Sequence, residues 1–431
     1  MDRSRAMIVV KNPQALRAAA ASARISTQQG TALEIFDGSA GDDRDLKLMN
    51  KVLSSGHKSV IEHQTFTVAF NDVSVLVEQF VIECRLASFT VKSRRYVDFS
   101  AAGWVRPEGL DDARAAQYDA AMAARFEDYG RLLALGIPKE DARFVLPYCM
   151  RSNFFMTLNA RELIALVCAM LYGRGKGFSE IEALGRQLKT QFDGIYPGVI
   201  DGEAVRYPRY TPVPMPERIE AGNDRVGDAE LIDAPADTRA LINTARVFTG
   251  RNMALKDLLT DARPRELELA RYTFRVRRVS LACVTHFTRH RILSLLVPPV
   301  ARALAEGDYV LPETVKAVPE AEAVYRRAFE AQAEAAREIG LPWELLSYFA
   351  LSGHEIDLIL SMNLRELIHF MKLRTCRRAQ WEIRGVAWRM LERLSEREPE
   401  IFHHIGPSCV YGKCPEGRMS CGQPYRSFTL D

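Results

Sequence analysis

Three groups of residues in this 431-residue chain have the types and spacing to do chemistry. The first is Arg289-His290-Arg291, followed by Ser294, at the polar end of an apolar stretch. Cations and donors clustered there suit an anion or an electron-rich ring. The second is Ser93-Arg94-Arg95-Tyr96, where a hydroxyl, turn N–H groups and a guanidinium would together seat a phosphate. The third is Asn363 with Arg374, eleven residues apart and so close to three turns along one helix face.

Each group has a counterpart elsewhere in the chain from which the chemistry is missing. Glu83-Cys84-Arg85 stands opposite Arg289-His290-Arg291, and Pro298-Pro299, without N–H groups, falls in the counterpart of the Ser93 turn. There Pro299 replaces Ser93 and Ala301 replaces Arg95. Met170 stands opposite Arg374 and Ala165 opposite His369, whereas Arg143, just before Phe144-Val145-Leu146-Pro147, stands opposite Ser347. Two sites decaying separately would leave matching gaps. These gaps are complementary, which predicts one composite site at the interface between the copies.

The elements that position these residues repeat as well. Leu158-Asn159-Ala160-Arg161-Glu162-Leu163-Ile164 returns as Met362-Asn363-Leu364-Arg365-Glu366-Leu367-Ile368, offset by 204. Arg85-Leu86-Ala87-Ser88 returns as Arg291-Ile292-Leu293-Ser294, offset by 206, and Glu62 with Thr67 returns as Glu268 with Thr273 at the same offset. Such self-similarity indicates a duplicated unit. Residues 64–70 and 271–277 alternate as strands, while 73–88 and 279–296 are long, apolar and helically spaced. The stretches 112–135 and 320–339, rich in Ala, Glu and Arg, suggest surface helices, and 159–171 and 363–397 further amphipathic ones. The expected fold class is α+β, as two tandem copies of one mixed sheet-plus-helices domain. The first copy takes residues 1–200, a proline-rich linker 201–240, the second copy 241–400 and a cysteine-containing tail 401–431.

Composition narrows the function class. Hydrophobic residues make up 47%, charged residues 26%, and the net charge is +3, so a disordered or collagen-like chain is excluded. No apolar run approaches the roughly 20 residues that cross a bilayer, and Met7 to Val10 is too short for a secretory signal. The expectation is a cytoplasmic protein with no membrane and no nucleic-acid partner, whose anion sites are local. Eight cysteines in so long a chain do not form a disulfide scaffold.

At these residues the chain resembles the flavin-dependent thymidylate synthases. Their signature R-H-R-x-x-S-x-N-E-x-S-x-R-Y is matched by Arg85, Ser88, Ser93, Arg95 and Tyr96 in the first copy and by Arg289, His290, Arg291 and Ser294 in the second. Gly56-His57-Lys58-Ser59-Val60-Ile61-Glu62-His63 is similar to the family's early segment, and Asn363, Arg365, Arg374 and Gln380-Trp381-Glu382-Ile383-Arg384 to its closing helices. The resemblance implies a methyltransferase that binds FAD and converts dUMP to dTMP, with methylenetetrahydrofolate as carbon donor and NADPH as reductant. The family's homotetramer shares sites between subunits, so a duplicated chain implies a homodimer that mimics it.

The resemblance also implies roles. Ser93, Arg95 and Arg143 would hold the nucleotide phosphate side, and Arg289 and Arg374 would face base and ribose. His286 stands where the family has a glutamine, and Tyr96 would pack by the folate or flavin ring or serve as an interface aromatic. Catalysis would rest on Arg289, Arg374 and Ser93, and FAD on His57, Ser59, Glu62, Arg289, His290 and Arg291, with Asn159, Arg161, Asn363 and Arg365. The signature's Asn-Glu pair is Thr90-Val91 in one copy and Leu296-Val297 in the other. That departure leaves open two alternatives: a C5-methylase or hydroxymethylase of another pyrimidine nucleotide, and a non-catalytic flavin- or nucleotide-binding relative.

Beyond the family core, Cys409, Cys414 and Cys421 lie on a Gly/Pro-rich tail, with His403 and His404 just upstream. They could hold zinc or an iron–sulfur cluster, or be free thiols packed on the body. The other cysteines, Cys84, Cys149, Cys168, Cys283 and Cys376, read as ordinary buried thiols.

Overall fold

The structure, a computed structural model, describes residues 3–211, 226–251 and 253–425. Pro212, Pro214 and Pro216 of the expected linker lie outside the described residues. The chain forms two compact units, Met1–Pro216 with Glu320–Ala350, and Glu217–Pro319 with Leu351–Asp431.

The sheet of the first unit holds β1 (Arg5–Lys11), β2 (Thr65–Ser74), β3 (Ser88–Val91) and β4 (Arg151–Asn159), in the order β1-β2-β4-β3 with every pair antiparallel. The second unit repeats this with β5 (Ala229–Asp233), β6 (Arg271–Ser280), β7 (Ser294–Leu296) and β8 (Glu355–Asn363), in the order β5-β6-β8-β7. Alternation decides which face is buried. Phe66, Val68 and Phe70 on β2 are buried opposite Leu158, Met156 and Phe154, as are Tyr272, Phe274 and Val276 opposite Met362, Leu360 and Leu358. β5 and the start of the helix Thr238–Thr249 fall inside the stretch expected as linker.

The duplication extends to strained backbone. β2 and β6 each shift register between Phe70 and Val73 and between Val276 and Val279. There Asp72 (φ 51°) and Arg278 (φ 53°) are the non-glycine residues with positive φ among those described. The Asp72 N–H donates to Asn153 Oδ1 at 3.0 Å, and the Arg278 N–H to Asp357 Oδ1 at 3.0 Å. A side-chain acceptor from the neighbouring strand thus satisfies the amide that the bulge removes from the ladder.

Two expectations change. The stretches 73–88 and 279–296 are not single helices: Val75–Ile82 and Leu281–Phe287 are short helices, each followed by a turn and then by β3 or β7. Ser74 and Ser280 cap them, accepting from the N–H groups of Val77 and Cys283. An apolar run does not by itself separate buried helix from buried strand. The helices Asp112–Ala134 and Pro319–Ile339 are amphipathic surface helices as expected, and Asp112–Ala134 and Glu320–Ile339 lie in the first unit. Tyr118, Met122 and Tyr129 on one, and Tyr325, Ala328 and Phe329 on the other, are buried, and Arg125 Nη1 donates to the Ala328 carbonyl at 2.5 Å. Their many alanines allow close approach while the charged residues occupy the other face. Finally, 363–397 is two helices, Leu364–Arg374 and Trp381–Arg397.

Candidate functional site

In the second unit, the helix Leu281–Phe287 is tied down at its start. The Ser280 N–H and Oγ both donate to the carboxylate of Glu382, at 2.6 and 2.5 Å. Glu382 is held in turn by Gln380, whose side-chain oxygen accepts from the N–H groups of Glu382 and Ile383. The Gln-Trp-Glu segment therefore anchors the helix that carries His286, which is buried in its last turn. Past Phe287 the chain turns, leaving Arg289 and Arg291 exposed and His290 only 5% exposed.

Three side chains meet at that turn. His290 Nδ1 lies 2.9 Å from Glu366 Oε1, and Arg374 Nε donates to His290 Nε2 at 3.0 Å. Arg374 Nη2 donates to the His286 carbonyl, also at 3.0 Å. A guanidinium only donates, so Nε2 carries the lone pair and the proton sits on Nδ1, facing the carboxylate. The imidazole is therefore neutral. Burial pushes its pKa down, the Arg374 charge adds to this, and both outweigh the upward pull of Glu366. Phe370 and His369 pack beside the ring, with centroids 4.9 and 5.8 Å away.

The first unit keeps the carboxylate but not the rest. Glu162 stands at the place of Glu366, and Cys84, at the place of His290, donates its thiol to Glu162 Oε2 at 3.5 Å. Burial, with the neighbouring carboxylate, pushes that thiol up to about 12. Asn159 and Asn363, expected to contact flavin, are helix N-caps that accept from the N–H groups of Glu162 and Glu366, both at 2.9 Å. Arg161 and Arg365 are paired with Glu62 at 2.6 Å and with Glu268 at 2.5 Å. All four thus have structural partners within their own copy. His57 and Ser59 are exposed around the start of the turn Lys58–His63.

Elsewhere in the first unit the structure brings Ser93, Arg95 and Arg143 to one place. Ser93 Oγ accepts from the Arg95 N–H at 3.3 Å, and its carbonyl accepts from the N–H groups of Tyr96 and Val97. Arg95 Nε lies 2.6 Å from Glu140 Oε1, while Arg143, 4% exposed, donates Nε to the Glu140 carbonyl at 3.0 Å. Tyr96 is 62% exposed, with the Arg95 guanidinium 5.5 Å from its ring centre. Arg94 turns inward instead, gripping buried Glu78 through two bonds of 2.8 and 3.0 Å, and Ser152 Oγ donates to the same carboxylate at 2.6 Å. The Arg95–Glu140 pair is thus partly exposed, whereas Arg94 is committed to the core.

Sequence reasoning missed Glu366, Glu140 and Glu78. For Glu366 the signal was present, since an Asn three residues before a Glu occurs in both copies of the repeat. The metal reading of the tail needs correction. Among the described residues no group of three or more His, Cys, Asp or Glu side chains is arranged to hold a metal ion. Cys409, Cys414 and Cys421 are half-buried free thiols. Other residues dock the tail: Lys372 lies over the Tyr411 ring at 4.5 Å, and Arg377 donates to Gln423 at 2.9 Å and lies over Tyr425 at 4.9 Å. Cys84 and Cys376 are likewise half-buried, against the expectation of burial that Cys149, Cys168 and Cys283 meet.

Two copies of an antiparallel four-stranded sheet, each followed by a helix capped through Asn and carrying different cationic groups, define a duplicated α+β protein. The family described as "Thymidylate synthase complementing protein" matches residues 7–198 and again 230–400, and the chain belongs to that family. The flavin-dependent thymidylate synthase of Geobacter sulfurreducens is 39% identical over 163 residues, 36% of this chain and 70% of that protein. Its namesake in Pyrococcus abyssi is 35% identical over 166 residues, 36% of this chain and 68% of that protein. For that of Sulfurisphaera tokodaii the figures are 33% over 149 residues, 33% and 58%. Among solved structures, thymidylate synthase X of Helicobacter pylori with FAD and dUMP is 20% identical with a TM-score of 0.38, covering 47% of this chain and 100% of that one. The UMP/dUMP methylase PolB of Streptomyces cacaoi, bound with 5-Br dUMP, is 24% identical with a TM-score of 0.38, covering 47% and 95%. Among the described residues, no helix is long and apolar enough to cross a membrane.

Proposed function

We propose that this chain is a flavin-dependent methyltransferase converting dUMP to dTMP, with methylenetetrahydrofolate as carbon donor and NADPH as reductant, acting as a homodimer. The observation that carries this reading is the division of groups between the copies. The first unit gathers Ser93, Arg95 and Arg143 at one turn, and the second gathers His286, His290 and Arg374 beside exposed Arg289 and Arg291.

The residues fit the flavin. Arg289 and Arg291, exposed on either side of a buried neutral histidine, suit a pyrophosphate. When bound, FAD would supply the reducing equivalents that turn the transferred methylene into a methyl group. Ser93, Arg95 and Arg143 bind the nucleotide phosphate, with Arg95 exchanging Glu140 for it. Arg289 and Arg374 face the pyrimidine and stabilise the negative charge that develops on the ring as C5 accepts carbon. No thiol nucleophile is required, and Cys84, with its pKa at about 12, stays protonated at neutral pH.

The test is to purify the chain, measure bound flavin, and follow product from dUMP, methylenetetrahydrofolate and NADPH, with UMP and dCMP in parallel. A yellow protein forming dTMP is the expected result. Flavin binding without NADPH oxidation on dUMP addition identifies a non-catalytic relative. A second reading, action on another pyrimidine nucleotide, draws on Thr90-Val91 and Leu296-Val297, whose first members lie in β3 and β7 where the family signature has Asn-Glu. Faster turnover of UMP or dCMP than of dUMP would establish it.

A further inference from the structure

We propose that Glu366 is a positioning residue: by fixing which nitrogen of His290 carries the proton, it aims Arg374 at the nucleotide. The inference rests on the nucleotide reading for the target of Arg374, but not for the relay itself.

The relay is continuous. Asn363 Oδ1 accepts from the Glu366 N–H at 2.9 Å, which fixes the first turn of its helix. The Glu366 carboxylate, 9% exposed, faces His290 Nδ1 at 2.9 Å, and His290 Nε2 accepts from Arg374 Nε at 3.0 Å. With Nη2 on the His286 carbonyl at 3.0 Å, two donors of Arg374 are committed, so the plane of its guanidinium is set. The carboxylate is the deciding group. It accepts only, so it holds the proton on Nδ1. Without it the imidazole is free to place its proton on Nε2, where N–H would face N–H and push Arg374 away. A doubly protonated ring would do the same. The charged and titratable groups around the ring are Glu366, Arg374 and His369, with Phe370 closing it off from water.

The chain contains its own comparator. The first copy retains Asn159 capping Glu162, with the same 2.9 Å bond, yet has Cys84 for His290 and Met170 for Arg374. There the carboxylate orders a thiol and positions no cation. The cap alone therefore does not build the relay, which exists where all three side chains are present.

The test combines nitrogen NMR of histidine-labelled protein with dUMP titration of the FAD-bound chain. In the wild type, the histidine signal lost in His290→Asn should report a proton on Nδ1 and none on Nε2. Glu366→Ala should lose that signature and bind dUMP at least about tenfold more weakly, while keeping its flavin content. Glu366→Gln, whose amide oxygen can still accept from Nδ1, should recover most of the affinity. Because the two residues act in series, Glu366→Ala should add little to Arg374→Ala. Full additivity, or a wild-type His290 protonated on Nε2, overturns the relay. If the wild type shows the Nδ1 proton but binds no dUMP, the nucleotide reading falls while the relay stands. Circular dichroism of each variant separates these results from unfolding.

Discussion

Arg374 donates through Nε to the Nε2 of His290 at 3.0 Å, joining the end of the helix Leu364–Arg374 to the turn that follows Leu281–Phe287. An arginine resting on a histidine requires a neutral ring, and burial supplies the reason for it to stay neutral. The second donor of Arg374, Nη2, is held by the His286 carbonyl at 3.0 Å. In the first unit, Arg95 is paired directly with a carboxylate, its Nε 2.6 Å from Glu140 Oε1.

If one nucleotide site draws on both copies, Arg95→Ala and Arg289→Ala should each weaken dUMP binding by about 10- to 100-fold, the loss expected for one charge-assisted bond. Calorimetric titration of the two variants checks this. Full activity in either would end the composite-site reading.

Glu78 and Arg94 form a buried pair with two bonds, and Ser152 adds a third to the carboxylate. Glu78→Ala leaves the guanidinium buried without its partner and should cost about 3–5 kcal/mol of stability. Urea unfolding of variant and wild type measures it, and a loss below about 1 kcal/mol would contradict the burial.

His354 is buried and accepts from the Leu351 N–H at 2.8 Å, and burial lowers its pKa from 6.5 to about 3. Between those values the unfolded chain holds a proton that the folded chain does not. Stability from this group is therefore complete above pH 6.5 and is lost as the pH falls through the window, by up to about 1.4 kcal/mol per pH unit. Glu180 and Glu355, whose carboxyls burial raises, act with the opposite sign but are common to both proteins under comparison. His354→Asn should thus show a flatter dependence of unfolding midpoint on pH between 4 and 6.5 than the wild type, and parallel curves would refute the assignment.

Cys84, at about 12, should remain a thiol at pH 8 despite being half-buried rather than buried. Alkylation followed by mass spectrometry should find it slower to react than Cys409, Cys414 and Cys421 in the tail. Glu162→Gln removes the nearby negative charge and should speed it up.

Much of the architecture was legible because it is written twice. The alternation of β2 and β6, the helix after each Asn cap and the complementary cationic groups all follow from residue types at matching offsets. Other features were hidden for physical reasons. The run from Val75 to Val91 is rich in apolar residues and has no glycine or proline to break it, so the sequence did not show that the helix stops at Ile82 and a strand begins at Ser88. Arg94 and Arg95 are identical in type and adjacent, and only the presence of Glu78 inside and Glu140 outside separates a core residue from a partly exposed one.

The sequence by itself determined the duplication, the fold class, the family and which copy carries each cationic group, since these depend on residue identity and spacing. Tertiary structure decided the rest. It brought Glu366 and Arg374 to the two sides of His290, residues more than seventy positions away in the chain, and so chose the protonation of a ring that no local pattern describes. It also placed Glu320–Ala350 with the first unit, because compactness follows which apolar faces meet and not the order in which they are written.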